Sequence, residues 1–474
     1  MACRRFRPEI RARLACVFAI MLGLTACAMP PLDRYMMEAR ASTPVKVSGT
    51  KGPLSRAQSD AVLAKLKAGA QDTNIFDRHL AVEESIAESP LSIGNKVVLL
   101  QDGPATYKAM FAALQAARDH IHLEMYIFED DEVGQRFADA LIEKRKQGVQ
   151  VAVIYDSVGS LNTPKEFFQR LKDAGIDTLE FNPVNPLDAK AKAGWQLNQR
   201  NHRKLMIVDG KIAFLGGINI SSVYSSGSFT SRLMPSAKHP DNGSQKPWRD
   251  TQLQVEGPAV AELQKTFFEA WRKQKNEDPP TKNPFPAMKP QGKEVVRVVA
   301  GWADDDVSAV YVTLLSAIQN AESQVHLTIA YFVPDPQFMA AVKDAAKRGV
   351  EVKIILPSRT DFWAVFHAAR SHYDELLEAG VQIYERQERV LHSKTALIDG
   401  VWSTIGSTNM DWRSFTHNHE LNAVVLGTDF GAQMEAMFER DLAASKQITK
   451  EEWRRRPIGD RVKEAAARLW AYWL

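Results

Sequence analysis

One polar pattern occurs twice in this chain, and it limits the possible folds more than any other feature. Residues 201–219 read NHRKLMIVDGKIAFLGGIN, and residues 391–409 read LHSKTALIDGVWSTIGSTN. The two segments share few apolar residues. A histidine, a lysine, an Asp-Gly pair, a glycine and an asparagine nevertheless recur at the same spacing, and each pair is separated by 190 residues. Such a repeat predicts an internal duplication in which the shared polar residues serve a common task.

The sequence around each motif repeats the same order of helix and strand signals. Residues 137–156 (FADALIEKRKQGVQVAVIYD) and 338–357 (FMAAVKDAAKRGVEVKIILP) both read as an amphipathic helix, a glycine at its end and a buried strand. Between the copies, DPPTKNPFPAMKP at 278–290 holds five prolines, which a helix or central strand does not accommodate. The chain is therefore predicted to be an α/β protein with a first half at 94–277, a linker at 278–293 and a second half at 294–448.

The amino-terminal segment has the features of an export signal. Residues 1–26 hold five arginines followed by LACVFAIMLGL, an apolar run of 11 residues that is too short for a membrane span. The run ends in LTAC, which resembles the lipobox of bacterial lipoproteins and makes Cys27 the candidate lipidation site. A chance cysteine after a signal or short anchor is the alternative. Lipidation predicts a cell-envelope protein that faces the periplasm at the inner or outer membrane. Residues 27–93 are predicted to be a polar leader, either extended or forming a loose helical cap.

Cysteine usage and charge exclude several classes of function. All three cysteines lie at or before position 27, so the rest of the chain has no thiol for disulfides, zinc or thiolate catalysis. Lysine and arginine number 60 against 57 aspartates and glutamates. The first 26 residues hold five arginines and one glutamate, which accounts for the basic excess. A nearly neutral remainder gives no bulk electrostatic footprint for nucleic acid.

The motif residues suit chemistry on a phosphate. Positions i and i+2 of a strand share a face, so each histidine points the same way as the lysine two residues later. An imidazole beside an ammonium can attack or protonate a phosphate while the charge holds its oxygens. The two aspartates have the other parity, which indicates that each anchors its Asp-Gly turn. The candidate catalytic residues of the two motifs are His202, Lys204, Asp209, His392, Lys394 and Asp399, and the candidate phosphate-binding residues are Asn219, Ser407 and Asn409.

Two H-x-K-x4-D-G motifs in one chain resemble the phospholipase D superfamily, and the bacterial cardiolipin synthases within it. The segments NQRNHRKLMIVDG, YFVPD and GSTNMDWRSFTHNHELNA resemble recurring segments of that group. The resemblance implies a phospholipase D-type α/β/α sandwich whose two halves pack as a pseudo-dimer around one active site. It also implies that one histidine forms a phosphohistidine while the other protonates the leaving alcohol, with His202 as the expected nucleophile and with no metal or cofactor. The HNH segment at 417–419 is read as part of a strand rather than as a metal site.

The resemblance implies phosphatidyl transfer to form cardiolipin, with phosphatidylglycerol or phosphatidylethanolamine as substrates at a membrane surface. A phospholipase D-type hydrolase uses the same intermediate and remains the alternative. A nuclease has less support, and no nucleic acid partner is expected. The motifs do not discriminate between phosphatidyl transfer and hydrolysis, because the two reactions differ only in the acceptor.

Carboxylates are expected to orient the histidines, since an imidazole that acts through one ring nitrogen is usually held through the other. The superfamily places a carboxylate near the position of Glu420, which lies 28 residues after His392. In the first half the matching segment is Asp250-Thr251-Gln252, beyond an insertion at 221–246. The sequence prediction is therefore that Asp250 orients His202 and that Glu420 orients His392, with the insertion looped out at the rim of the site.

The carboxyl-terminal segment, 449–474, is predicted to contain an amphipathic helix. Its apolar stripe consists of Ile458, Val462, Ala466, Leu469 and Trp473. The stripe can lie in a membrane interface, or it can dock on the protein's own domain.

Overall fold

The structure, a computed structural model, describes residues 44–70, 72–185, 196, 198–225 and 246–470. Cys27 and the signal-like segment therefore lie outside the described residues, as does most of the insertion. Four elements come before the first repeated half: β1 (Val47–Gly49), β2 (Gly52–Pro53), α1 (Arg56–Gly69) and α2 (Ile75–Ile86).

The first half is built from strands and helices that alternate as the sequence predicts. Its elements are β3 (Leu91–Gln101), α3 (Asp102–Ala116), β4 (His120–Met125), α4 (Glu132–Lys146), β5 (Gln150–Asp156), α5 (Lys165–Asp173), β6 (Asp177–Phe181), β7 (Arg200–Asn201), β8 (Lys204–Val208), β9 (Ile212–Gly216), a 3-10 turn at Ser222–Tyr224, β10 (Thr251–Glu256) and α6 (Ala259–Lys275).

The second half repeats this order and ends in two further helices. Its elements are β11 (Glu294–Gly301), α7 (Ala309–Asn320), β12 (Gln324–Ile329), β13 (Phe332–Val333), α8 (Pro336–Lys347), β14 (Glu351–Pro357), α9 (Trp363–Arg370), α10 (Tyr373–Glu378), β15 (Gln382–Arg386), β16 (Lys394–Ile398), β17 (Trp402–Gly406), β18 (Met410–Asp411), α11 (Trp412–Thr416), β19 (Asn418–Leu426), α12 (Thr428–Ala443), β20 (Ser445–Ile448), α13 (Lys450–Arg454) and α14 (Ile458–Arg468).

The two halves have the same strand order, which confirms the predicted duplication. In the first half the order is β6-β5-β4-β8-β9-β10-β3, with β4, β5 and β6 parallel and the other pairs antiparallel. In the second half the order is β15-β14-β12-β16-β17-β19-β11, with β12, β14 and β15 parallel. Antiparallel pairing of β3 with β11 joins the two sheets.

The motif strands are apolar on both faces because each face packs on a different layer. In β8, Met206 and Val208 join the cluster under the helices of the first half, whereas Leu205 and Ile207 join a cluster shared by both halves. Leu397 and Ile405 contribute to that shared cluster from the second half. Burial on both faces explains why these strands read as continuous apolar runs instead of alternating ones. It also brings the two motif strands close to the interface between the halves.

The segment before the first half differs from the polar leader expected at 27–93. Residues 47–86 form two strands and two helices. Strand β1 pairs with β3 of the first half, whereas α2 packs on α7 of the second half. Ile75, Phe76 and Leu80 are buried in the core cluster of the second half. The buried carboxylate of Glu83 lies 3.1 Å from Arg297 Nε on β11. Two of the charged residues that make this segment read as polar, Glu83 and Glu84, are buried against Arg297, which lies more than 200 positions away.

The carboxyl-terminal helix docks on the protein, but not through its apolar stripe. Helix α14 packs against α9, with Ala467 in a small cluster beside Val365 and Ala368. Glu464 is also buried and accepts a 2.9 Å hydrogen bond from Arg456. The stripe residues of α14 that the structure describes remain exposed: Ile458, Val462 and Ala466, followed by Leu469. Trp473 lies outside the described residues.

Candidate active site

The imidazole of His202 is held by a carboxylate from the opposite half. His202 lies just before β8, and its Nδ1 is 3.0 Å from Glu420 Oε1 on β19. Ser407 donates its hydroxyl to the other oxygen of Glu420, and Asn418 Nδ2 donates to Oε1 at 3.3 Å. Since Glu420 is an acceptor, the bond requires a proton on Nδ1 and leaves Nε2 with a free lone pair.

The imidazole of His392 is held in the mirrored way. Its Nδ1 is 2.7 Å from Asp250 Oδ2, at the start of β10 in the first half. The other oxygen of Asp250 accepts a 2.7 Å bond from the backbone N–H of Thr251. The hydroxyl of Tyr224 lies 3.3 Å from the same His392 nitrogen. Both histidines are therefore fixed through Nδ1, and both present Nε2 for chemistry.

The predicted carboxylate pairing is wrong: Asp250 holds His392, and Glu420 holds His202. Backbone contacts between the halves explain the exchange. The N–H of His202 donates to the carbonyl of His419 at 3.0 Å, and β7 pairs with the start of β19. In the same way, the N–H of His392 donates to the carbonyl of Arg249 at 2.8 Å. Each carboxylate follows the residue that bonds the opposite histidine's backbone, so it meets that histidine and not the one in its own half.

Two buried lysines lie beside the histidines. Lys204 Nζ donates to the carbonyl of His202, and Lys394 Nζ donates to the carbonyl of His392. Lys394 Nζ also lies 3.0 Å from His392 Nδ1. Burial lowers the pKa of Lys394 to about 8, and burial also lowers the pKa of Lys204 well below its usual value. Two cations in a site this small are arranged to receive an anion.

The electrostatics of the two halves merge into one site. Lys394 contributes to lowering the pKa of His202, and Lys204 contributes to lowering the pKa of His392. Burial lowers the pKa of His202 to about 4, although the charge of Glu420 opposes the shift. Burial alone raises the pKa of Glu420, but His202, Lys204 and Ser407 outweigh it and hold that pKa at about 2. At pH 7 the pair is therefore a neutral imidazole bonded to an ionised carboxylate.

The two motif aspartates are not brought to the histidines. Asp209 accepts hydrogen bonds from the backbone N–H groups of Arg118, Asp119 and His120 at 2.8–3.1 Å, at the start of β4. Asp399 accepts the matching bonds at the start of β12 from residues 322–324. Both aspartates have left-handed backbone angles, with φ of 54° and 49°. They fix the Asp-Gly turns, as their strand parity predicts, and do not take part in a catalytic triad.

The three candidate phosphate-binding residues differ in their hydrogen bonds. Asn219 Oδ1 accepts the N–H of Ile127 at 3.0 Å, and its Nδ2 donates to the hydroxyl of Tyr224 at 3.0 Å. Asn409 is buried, and its Oδ1 has no hydrogen-bond partner among the described residues. Ser407 was predicted to bind phosphate, but its hydroxyl donates to Glu420, so it supports that carboxylate instead.

Sequence reasoning missed the aromatic residues around the histidines. The ring of Tyr126 meets the His202 ring edge to face, with centroids 4.8 Å apart. Around His392 lie Trp248 at 5.5 Å, Tyr224 at 5.9 Å and Tyr331 at 6.2 Å between ring centroids. Tyr224 lies in the described start of the insertion at 221–246, and Trp248 lies two residues after the end of the insertion. The aromatic residue at the end of each parallel strand, in EMYIF and TIAYF, is the signal that points to Tyr126 and Tyr331.

Known proteins match both halves of this arrangement. The family model described as "Cardiolipin synthase, PLD-like domain" matches residues 110–228 and 314–442, once in each half. A cardiolipin synthase of Geobacillus sp. (strain WCH70) is 37% identical over 396 residues, covering 82% of this chain and 74% of that protein. The major cardiolipin synthase of Bacillus subtilis (strain 168) is 33% identical over 379 residues, covering 79% of this chain and 74% of that protein.

A solved structure supports the fold independently. The phosphatidylserine synthase of Haemophilus influenzae Rd KW20 superposes with a TM-score of 0.59 and covers 80% of this chain and 95% of that one. Its sequence is 12% identical, so the likeness speaks for the fold alone. It agrees with the duplicated α/β arrangement predicted from the sequence.

Proposed function

This chain belongs to the cardiolipin synthase family of phospholipase D-like proteins, and on that basis we propose that it transfers a phosphatidyl group between two phosphatidylglycerol molecules. The products are cardiolipin and free glycerol. The observation that carries the proposal is the pair of histidines described above, each fixed through Nδ1 by a carboxylate of the other half. Two imidazoles with two lysines beside them match a reaction that needs a nucleophile and a proton carrier at one phosphate.

In the proposed first step, Nε2 of His202 attacks the phosphorus of the donor lipid. The bond from phosphorus to the glycerol headgroup breaks, and His392 gives its proton to the departing oxygen. In the second step, His392 takes a proton from a glycerol hydroxyl of the acceptor lipid. That oxygen attacks phosphorus, the phosphorus–nitrogen bond breaks, and His202 returns to its starting state.

The protonation states favour His202 as the nucleophile. The lowered pKa of His202 keeps its imidazole neutral at pH 7, so the Nε2 lone pair is available. His392 must carry a proton, whereas burial and Lys394 lower its pKa in the free protein. A bound phosphodiester adds a negative charge near His392, and a nearby negative charge favours the imidazolium. We therefore propose that His392 gains its proton as the donor lipid binds.

The place of the reaction is also a proposal. The lipobox-like LTAC supports lipidation of Cys27 and a periplasm-facing position at the inner or outer membrane. Over the described ranges, no helix reaches the length and apolarity that crossing a bilayer requires. Phosphatidylglycerol is the proposed donor and acceptor, and phosphatidylethanolamine is the alternative donor.

A product assay with headgroup-labelled phosphatidylglycerol tests the proposal. Transfer predicts equal amounts of cardiolipin and labelled glycerol. Phosphatidic acid with labelled glycerol would instead mean that water is the acceptor, and the protein would be a hydrolase. His202→Ala is the matched control, since either reaction depends on the same nucleophile.

A further inference from the structure

Large apolar side chains that are exposed to solvent are concentrated at one edge of the sheet. In the described part of the chain there are ten of them. Five lie in the loops that follow the carboxyl ends of β5, β6 and β14 or at the first residue of α9. We call these five the apolar rim: Val158, Leu161, Val184, Phe362 and Trp363. Leu161 is 54% exposed and Trp363 is 57% exposed.

The apolar rim lies beside the active site in both halves. The backbone at Gly159 packs so closely on Tyr126 that an added Cβ would lie 2.1 Å from the Tyr126 carbonyl oxygen, and Tyr126 contacts His202. In the second half, Asp361 accepts a 2.6 Å hydrogen bond from the hydroxyl of Tyr331, whose ring lies beside His392. The exposed apolar residues next to Gly159 and Asp361 are therefore one residue layer away from the reacting groups.

Four more of the ten exposed side chains belong to α14 and the residues after it, and we call them the outer face of α14: Ile458, Val462, Leu469 and Trp470. At about 3.6 residues per turn, Ile458, Val462 and Leu469 form one stripe, and the docked residues Glu464 and Ala467 lie on the opposite side of the helix. The ion pairs of Arg456 with Glu464 and of Arg468 with Glu375 hold that docked side. The outer face is consequently fixed in an outward orientation.

The outer face is bordered by positive charge. Residues 450–470 hold seven lysines and arginines and four aspartates and glutamates. At about 100° per residue, Arg461 flanks the stripe on one side together with Arg468, which pairs with Glu375. Lys463, which pairs with Asp460, flanks it on the other side. An apolar helical stripe with basic flanks and a tryptophan is the composition of helices that lie in the interface of an anionic bilayer. Because α14 packs on α9, which begins at Trp363, this helix joins the apolar rim.

We propose that the apolar rim and the outer face of α14 form one docking surface for a bilayer that contains anionic phospholipid. This surface would place the mouth of the active site against the membrane, so that a lipid headgroup reaches the two histidines without the acyl chains leaving the bilayer. The inference rests on the proposed phospholipid substrate, and it adds an orientation that lipidation at Cys27 alone does not specify. A second copy of this chain is the competing occupant of the same surface.

Fluorescence quenching tests contact with the bilayer independently of turnover. The full chain is incorporated into phosphatidylglycerol-containing vesicles whose acyl chains carry bromine, and tryptophan quenching is measured. Docking predicts that Trp363→Phe with Trp470→Phe removes part of the quenched emission, while Trp271→Phe, at a buried position, leaves it unchanged. Equal quenching in the double variant and the unaltered protein would overturn the proposal. The proposal would also be overturned if the polar double variant, Trp363→Asn with Trp470→Asn, lost self-association while its quenching equalled that of the unaltered protein.

A kinetic comparison tests the same surface during the reaction. The rate with phosphatidylglycerol in vesicles is divided by the rate with a short-chain phosphatidylglycerol that is dissolved as monomers. Leu161→Asn with Trp363→Asn should lower this ratio at least about tenfold, because each change removes a large apolar side chain from the interface. Phe285→Asn is the matched control, since Phe285 is 48% exposed in the linker, away from the rim. An unchanged ratio would contradict docking.

The two measurements also separate the docking proposal from the proposed reaction. Absence of cardiolipin with both substrates would reject phosphatidyl transfer. The quenching result would still decide whether the surface contacts the bilayer.

Discussion

The two histidines occupy matching positions in the two halves, but their surroundings differ. Glu420 receives the hydroxyl of Ser407 as well as His202, whereas Asp250 packs against Gly217, where an added Cβ would lie 2.2 Å from its Oδ1. Among the described residues, His202 has one aromatic neighbour, Tyr126, whereas three aromatic rings surround His392. The duplication therefore repeats the backbone and the Nδ1 bond, while the side chains around each imidazole diverged.

This difference suggests why one repeated motif can serve two roles. A nucleophile must stay neutral, and the buried pair of His202 with ionised Glu420 meets that need at pH 7. A proton carrier must change its charge during the reaction. His392 lies beside Lys394 and the Tyr224 hydroxyl, and a bound anion would offset the charge of Lys394, which lowers the pKa of His392 in the free protein. The following predictions test whether the two histidines are equivalent.

Removing each imidazole should have the largest effect and should separate the roles. His202→Ala is expected to lower turnover by more than about 10⁴-fold for every substrate, since loss of a covalent nucleophile leaves little residual catalysis. His392→Ala should lower turnover of phosphatidylglycerol by roughly 10²- to 10⁴-fold. It should retain much more activity with a phosphatidyl ester of p-nitrophenol, because that leaving group needs no proton. Equal losses in both variants with the activated ester would contradict the assignment.

Helix α2 of the amino-terminal segment packs on the second half, and this gives a stability test of the same comparison. Glu83→Gln removes one of the two buried carboxylates that pair with Arg297 and leaves Glu84 as the other. It should lower the free energy of unfolding by about 1–3 kcal/mol, because a buried charged hydrogen bond is lost. Glu88→Gln is the control, since Glu88 is exposed on the same segment. Urea unfolding measures both variants. A Glu83→Gln protein as stable as the control would mean that this ion pair does not hold the segment on the second half.

Neutral isosteres of the two carboxylates should test the exchanged pairing. Glu420→Gln and Asp250→Asn are each expected to slow turnover roughly 10²-fold, since each withdraws a charge that orients an imidazole. With exchanged pairing, Asp250→Asn should behave like a His392 variant and be spared by the activated ester. Glu420→Gln should slow formation of the covalent intermediate with both leaving groups. The reverse pattern in single-turnover kinetics would support pairing within each half.

The pH dependence should give the smallest effect. Lys394, whose pKa is lowered to about 8 by burial, loses its ammonium as the pH rises through that value. The free-enzyme profile of kcat/KM should therefore fall above about pH 8, by about tenfold per pH unit at its steepest. Lys394→Arg should move the fall to higher pH, because arginine keeps its charge. Lys211→Arg, at an exposed position, is the control. If the fall in kcat/KM stays at the same pH in Lys394→Arg, the fall reports the titration of another group.

The sequence alone predicted the parts of the site that depend on local pattern. The spacing of the two motifs gave the duplication, and strand parity separated His202 and Lys204 from Asp209. It could not give the carboxylate partners. Asp250 and Glu420 were correctly identified by their place after each motif, but the half that each faces depends on backbone pairing between positions about 140 and 220 apart.

Two further features that the sequence left open have the same physical origin. The segment 47–86 looks like a polar leader because its buried charges, such as Glu83, are paired with residues of a distant strand. The stripe of α14 fits a docked helix equally well in sequence, and only the buried contacts of Glu464 and Ala467 show that the opposite side is docked. Local periodicity thus identifies an apolar face but does not specify its partner.

Identification of the modified residue tests the central claim most directly. The protein is mixed with phosphatidylglycerol labelled in its phosphate, quenched within one turnover, digested at alkaline pH and analysed by peptide mass spectrometry. The exchanged-carboxylate site predicts a phosphatidyl adduct on the peptide that contains His202, and Asp250→Asn should leave it on that histidine. An adduct on His392, or no adduct on either histidine while cardiolipin is formed, would contradict the mechanism.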